Sequence, residues 1–357
     1  MLIEKLFIAP FGMALAISYA ITPLVIKLAW KWGLIDDPKK NRHPKVIHSK
    51  PTPRGGGLSL FLAIAISASL LLPLDKHLAG ILAGAGILVL MGILDDRYNL
   101  NPYLRLMVQF FAVSIPIAAG IGIAFLNSPF GIIDLSYPRI EFFLLGETRS
   151  IWILSDLFAL FWMVALMNFI NWGAKGVDGQ LSGVVTIAAL VIAVLSFRFS
   201  ADITEWPVTI LAAILAGASL GFLPWHMYPQ KIMPGFSGSN LTGFLLGVLS
   251  ILTTTKVGTL FLVLGVPLID SGYTLIRRIL QGKSPVWGDG GHLHHRLLDV
   301  GWSKKGVAYF YWLVTAILGI IALWVNWQWK LYTILGLAFL LAGLILWLTF
   351  RPEQRST

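Results

Sequence analysis

Long apolar runs separated by short polar connectors dominate the chain, and few of them show the alternation of a half-buried strand or the single stripe of a surface helix. A helix needs about 20 apolar residues to cross the hydrocarbon core. On that measure we place eleven spans near residues 6–30, 57–74, 78–94, 104–126, 151–171, 181–197, 208–224, 240–255, 257–275, 306–325 and 330–350. The first run, Leu6 to Trp30, lacks a small-residue cleavage pattern and reads as a retained span. Between spans four and five, Asn127 to Ser150 alternates polar and apolar residues around Tyr137-Pro138, which predicts a short surface hairpin. No repeat of 20–50 residues and no low-complexity linker divides the chain. The expected fold is all-α: one polytopic membrane domain over 1–357.

Composition agrees. Hydrophobic residues make up 57% of the 357 and charged residues 12%, with mean hydropathy +0.78; a soluble domain carries about 25% charged residues. The absence of cysteine excludes disulfides and thiolate metal sites. The formal charge of +10 is a matter of loops rather than of nucleic acid binding. With the N-terminus outside, 20 of the 27 Lys and Arg residues fall on inward-facing segments and 7 on outward-facing ones. The positive-inside rule therefore predicts an external N-terminus and a cytoplasmic C-terminus.

Under that topology the unusual chemistry gathers at the cytoplasmic face. Asp95-Asp96 end span three, at the negative end of a helix dipole, where two adjacent carboxylates need a divalent cation or a nearby Arg97 or Arg105. Asn168 and Asn171 share one face near the end of span five, and Lys175 and Asp178 follow among glycines; Asp178 also suits a helix N-cap. Asp270 lies within span nine beside Pro267, serving either function or a pairing with Arg277 or Arg278. The densest cluster is Gly288-Asp289-Gly290-Gly291-His292-Leu293-His294-His295-Arg296. Its imidazoles suit a transition metal or, with Arg296 and the glycine amides, phosphate oxygens, and the second is preferred. In a helix, His292 and His295 share a face and His294 points elsewhere. Two glycine-rich segments, Pro51 to Gly57 with Arg54 and Pro234 to Asn240, open spans two and eight and suggest anion sites at helix N-termini. The mixed-charge stretch Asp36 to His43 reads as solvated.

Taken in order, Asp-Pro…Pro-Arg-Gly-Gly, Leu-Asp-Asp…Leu-x-Pro, Asn-x-x-Asn…Asp-Gly and an Asp before His-x-His-His resemble the polyprenyl-phosphate N-acetylhexosamine-1-phosphate transferases, from about Asp36 to Trp302. The form His292-Leu-His294-His295-Arg296 is similar to the branch that starts O-antigen, teichoic acid or related glycans. The resemblance implies eleven spans, a multi-pass protein of the inner (plasma) membrane, and Mg²⁺ (Mn²⁺ as the alternative) as cofactor. The partners it implies are polyprenyl phosphate, a UDP-N-acetylhexosamine and membrane lipids, with homodimerisation left open. The reaction would pass a sugar-1-phosphate to the lipid and release UMP. By the same resemblance Asp95, Asp96 and His294 are catalytic, and Asp95, Asp96 and Asp178 hold metal. Arg54, Asn168, Asn171, Lys175, Asp270, His292, His295 and Arg296 bind substrate. Two departures stand out: His226 occupies a family Asn place, and Phe236 a metal-binding Asp place. The Asn-x-x-Asn loop also carries an extra residue and keeps one Asp-Gly step. The rival expectation is a scaffold of the same fold that binds without turnover; a transporter is a third, disfavoured because the polar residues crowd one face.

Overall fold

The computed structural model describes residues 2–39, 48–128, 131–144, 147–252, 256–284 and 291–350. It is a helical membrane bundle. Among the described residues, seven helices are long and apolar enough to cross a membrane. They are α1 (Ala9–Lys31, with a leading turn from Glu4), α3 (Lys76–Tyr98), α5 (Ile153–Gly173), α6 (Gln180–Arg198), α7 (Trp206–His226), α12 (Lys304–Trp324) and α13 (Trp327–Phe350). Three apolar helices are shorter: α2 (Gly57–Leu71), α4 (Pro102–Ala118) and α8 (Gly235–Ile251). The region predicted as span nine is two helices, α9 (Lys256–Val263) and α10 (Gly265–Leu280), bent by 83° at Leu264. Pro267, which has no amide proton to extend the α9 ladder, sits in the first turn of α10 and makes that break local. A last short helix, α11 (Leu293–Asp299), precedes α12.

The strands are brief. β1 (Ile35–Asp36) pairs antiparallel with β2 (Thr52–Pro53), Asp36 opposite Thr52. The expected hairpin between spans four and five is two hairpins: β3 (Phe125–Ser128) with β4 (Gly131–Asp134), and β5 (Arg139–Leu144) with β6 (Glu147–Trp152). They take residues assigned above to the ends of spans four and five. α4 stops at Ala118 because Gly120 turns the chain with φ 104°.

The bundle is organised around α8. All seventeen of its residues are buried, and it packs against α2, α3, α5, α6 and α7. Gly235-Phe-Ser-Gly-Ser-Asn240, read above as a loop, forms its first turns, so α8 begins five residues earlier than predicted. Glycine and serine read as turn formers in sequence. Here they let neighbouring helices approach a helix that is buried along its whole length. Around it α1 packs on α7, α7 on α6, and α12 on α6. One contiguous buried apolar cluster extends through the bundle from Ala14 to Leu348.

Candidate active site

The C-terminal ends of α3, α5 and α7 and the N-terminal ends of α2, α4, α6 and α8 meet at one end of the bundle, with His292 and α11 beside them. They enclose a cavity of about 320 Å³. Asp95, Asp96, Arg54, Asn171, Lys175, Asp178, His292, His294 and His295 line it together, as do Arg105, His226 and Phe236. Asp95, Asp178 and His294, far apart in the chain, share this single cleft.

Asp96 ends the α3 core and is buried. Its carboxylate accepts the Phe236 N–H at 2.8 Å, the Ser237 N–H at 3.4 Å and the Ser237 hydroxyl at 2.9 Å. The positive end of the α8 dipole is thus met by the side chain that the negative end of α3 disfavours. Gly235 takes φ 70°, and a Cβ there would collide with the Asp96 carboxylate, so this contact requires glycine. Asp95 turns the other way. It accepts the Leu100 N–H at 2.9 Å and pairs with Arg105 at 3.3 Å. The Arg105 guanidinium also lies 4.9 Å above the Phe236 ring centre, a cation–π contact.

The glycine-rich helix starts do not serve as the open anion sites expected of them. Gly56 and Gly57 donate their N–H groups to the carbonyls of Met233 and Pro234, while the α8 start is occupied by Asp96. Asp36, expected to be solvated, is buried and paired with Arg54 and His48 on the cavity wall. Residues 40–47 lie outside the described residues, as do Gly288, Asp289 and Gly290.

Asp178 is not the N-cap of α6; Gly179 is, with φ 85°. The Gln180 side chain instead accepts the Gly176 and Val177 N–H groups and donates to Gly173, folding the loop back on itself. Asp178 is left at the cavity. One oxygen accepts the Gln230 N–H at 3.3 Å, and the other, buried, has no hydrogen-bond partner. Lys175 reaches the Gly235 carbonyl at 3.4 Å.

The histidines differ from the helical expectation. His292 precedes α11 in extended conformation, φ −68° and ψ 153°, so all three rings reach the cavity. His292 stacks on His294 with ring centres 5.6 Å apart, and His294 leans on His295 at 4.3 Å. Asp270 pairs with His292 rather than with Arg277 or Arg278: it takes His292 Nδ1 at 2.9 Å and the Leu293 N–H at 2.9 Å. It is fully buried and does not line the cavity. Arg296 also stands off the cavity and donates to the Gly291 carbonyl at 2.9 Å.

Asn168 lies deeper. It donates to Gln109 at 2.9 Å and to the Val164 carbonyl at 2.8 Å. Gln109 in turn donates to Asn240, which donates to the Phe236 carbonyl at 2.8 Å. This buried amide ladder ties α5, α4 and α8 together. Sequence reasoning missed Gln109 and Asn240, although an amide inside an apolar run is the signal that selected Asn168. His226, the departure at the end of α7, contacts the Ser182 hydroxyl at 2.8 Å. A second cavity of about 210 Å³, walled largely by Leu106, Phe161, Val164, Ala165 and Phe169, adjoins the first and shares Arg105, Asn171, Trp172 and Phe236 with it.

Residues 78–254 match glycosyl transferase family 4. The chain is 31% identical to the probable undecaprenyl-phosphate N-acetylglucosaminyl 1-phosphate transferase of Bacillus subtilis, over 88% of this chain and 84% of that protein. The chain belongs to glycosyl transferase family 4. Other relatives include the decaprenyl-phosphate N-acetylglucosaminephosphotransferase of Mycolicibacterium smegmatis, 30% identical over 82% of this chain and 75% of that protein. The undecaprenyl-phosphate alpha-N-acetylglucosaminyl 1-phosphate transferase of Escherichia coli O157:H7 is 28% identical over 89% and 84%. The family resemblance drawn from the ordered motifs is thereby established, and those motifs supply most of the cavity wall.

Proposed function

We propose that the chain transfers N-acetylglucosamine-1-phosphate from UDP-N-acetylglucosamine to a polyprenyl phosphate, undecaprenyl phosphate by preference, at the cytoplasmic face of the plasma membrane. The observation that carries this reading is the single cavity where acidic, cationic and imidazole side chains from five separated connectors face one another beside an apolar groove. We read the three short apolar helices as spans and the bent α9–α10 pair as one broken span. This gives eleven crossings and an external N-terminus, in line with the distribution of Lys and Arg.

In the reaction, an oxygen of the lipid phosphate forms a bond to the β-phosphorus of the donor. The bond from that phosphorus to the bridging oxygen breaks, and UMP leaves with the electron pair. Such transfers depend on positioning and charge neutralisation. Lys175 and the imidazoles of His292, His294 and His295 hold the diphosphate, with His292 oriented by Asp270. A phosphate monoester has a second pKa of about 6, so it needs little base at neutral pH. Asp95 takes the remaining proton, and Arg105 steers the incoming phosphate. Asp96 is a positioning residue that fixes α8 against α3. The apolar second cavity receives the first prenyl units next to Arg105.

Mg²⁺ fits this site in a limited way. Asp178 lines the cavity and carries a buried oxygen without a hydrogen-bond partner, a hard donor, and Mg²⁺ commonly takes one or two carboxylates, substrate phosphates and water. Asp178 would hold it; both oxygens of Asp95 and of Asp96 already accept protein donors. When bound, the ion neutralises charge building up on the diphosphate oxygens.

Purified protein with labelled UDP-N-acetylglucosamine, undecaprenyl phosphate and Mg²⁺ tests the proposal. Lipid-linked sugar and an equal amount of UMP, both identified by mass spectrometry, are expected. Donor binding without either product would favour the scaffold reading.

A further inference from the structure

We infer that Phe236 is a positioning and specificity-determining residue for the lipid acceptor. Its ring holds the Arg105 guanidinium where the polar cavity meets the apolar one, so that the group admitted there is a phosphate carried directly on an apolar chain. The inference deepens the transferase reading above and rests on it. Arg105, Asn171, Trp172 and Phe236 line both cavities, and of these only Arg105 carries charge.

The Phe236 main chain is fixed from both sides. It lies in the first turn of α8, so its N–H has no partner within the helix; the Asp96 carboxylate accepts it at 2.8 Å. Its carbonyl accepts the Asn240 amide at 2.8 Å and the Ser239 hydroxyl at 3.2 Å. Asn240 in turn accepts from Gln109 of α4, the helix that carries Arg105. The ring's point of attachment therefore cannot shift without breaking a buried chain of hydrogen bonds, and the residue is only 6% exposed. Arg105 is held twice, at one nitrogen by Asp95 at 3.3 Å and across its face by the Phe236 ring, 4.9 Å to the ring centre. A stacked guanidinium keeps its N–H groups at the edge of its plane, where phosphate oxygens can accept them. Leu106, Phe161 and Val164 wall the apolar cavity that opens beside it. An acid in place of Phe236 would take those N–H groups for itself and add another carboxylate beside Asp95 and Asp96. A leucine would keep the site apolar but leave the guanidinium face without its ring.

Initial rates of the full-length protein in detergent, with undecaprenyl phosphate and UDP-N-acetylglucosamine varied separately, test this. Phe236→Leu should raise the KM for undecaprenyl phosphate about three- to tenfold, the span of a part-desolvated cation–π contact, and leave the donor KM unchanged. Phe236→Tyr keeps the ring face and should recover most of that loss. In an Arg105→Lys background the planar group is already gone, so Phe236→Leu should add much less to the acceptor KM than it does alone. A wild-type acceptor KM in Phe236→Leu, an equal rise for donor and acceptor, or full additivity with Arg105→Lys overturns the inference. So does a Phe236→Asp variant that uses undecaprenyl phosphate better than the wild type. Thermal unfolding shows that each variant is folded; should Phe236→Leu fail, Phe236→Met, apolar and more adaptable, takes its place in the same comparison. Absence of lipid-linked product from the wild type would instead overturn the transferase reading, and this inference with it.

Discussion

Asn in place of Asp96 distinguishes a carboxylate that holds the bundle together from one that reacts. Asp96 accepts two strong hydrogen bonds and one long one, from the Phe236 N–H, the Ser237 hydroxyl and the Ser237 N–H. Asn keeps one acceptor oxygen and turns an NH₂ toward donors that it repels. A bond to a charged acceptor is worth about 1.5–3 kcal/mol net, and a carboxylate at a part-buried helix N-terminus up to ~2 kcal/mol. Losing one such bond, weakening another and removing the dipole partner sums to about 3–5 kcal/mol. Relief of the buried charge offsets part of this, leaving roughly 2–3 kcal/mol. With the unfolding entropy of a chain this long, that lowers the melting midpoint by about 3–4 °C.

Asp95→Asn is the matched control. Its partner Arg105 retains 27% side-chain exposure, and such part-exposed pairs contribute about 1 kcal/mol. Thermal unfolding in detergent, followed by intrinsic tryptophan fluorescence, should show a clear shift for Asp96→Asn and about 1 °C for Asp95→Asn. Lipid-linked product should fall sharply in both. A wild-type midpoint for Asp96→Asn, or equal destabilisation by the two variants, would refute the assignment of Asp96 to the α8 start.

Three further outcomes are expected. Asp270→Asn should leave the cavity wall intact but release His292, so kcat falls more than KM rises; a pure KM effect would argue against an orienting role. Gln109→Leu leaves the Asn240 side-chain oxygen without its donor and removes one of the two acceptors of Asn168, and should cost about 1–3 kcal/mol in unfolding, less than additively with Asn168→Leu; simple additivity would break the proposed ladder. Because the chain has no cysteine, single variants report topology cleanly. Ser136→Cys should react with an impermeant maleimide from outside intact cells and Lys283→Cys only after permeabilisation, and the reverse pattern would invert the orientation.

What could be read from the sequence depended on whether the cause was local. Apolar length marks a span wherever it occurs, so most of the helices fall close to their expected positions. The start of α8 was misplaced because Gly235 to Ser239 looks like a turn, and only the neighbouring helices explain why such small residues continue a helix. The cavity was foreseeable as a group of connectors, since costly polar residues in an apolar chain need one another. Its pairings were not. Asp270 meets a histidine 22 positions away and Asp96 a helix start 140 positions away, and nothing in either local segment encodes the partner. His294 was turned the wrong way because a helical register was assumed for His292, which is extended.

The charges on the cavity wall are largely committed to one another. Among the described lining residues, Arg54, Arg105 and Lys175 face Asp36, Asp95, Asp96 and Asp178. Two of those three cations are already committed, Arg54 to Asp36 and Arg105 to Asp95. The helix starts that ordinarily receive phosphate are closed, α8 by Asp96 and α2 by the Met233 and Pro234 carbonyls. Lys175 and the imidazoles are a poor match for a nucleotide diphosphate meeting a lipid phosphate, two groups that repel strongly in a part-buried site. Asp178, with one oxygen accepting the Gln230 N–H and the other buried without a hydrogen-bond partner, adds to the deficit.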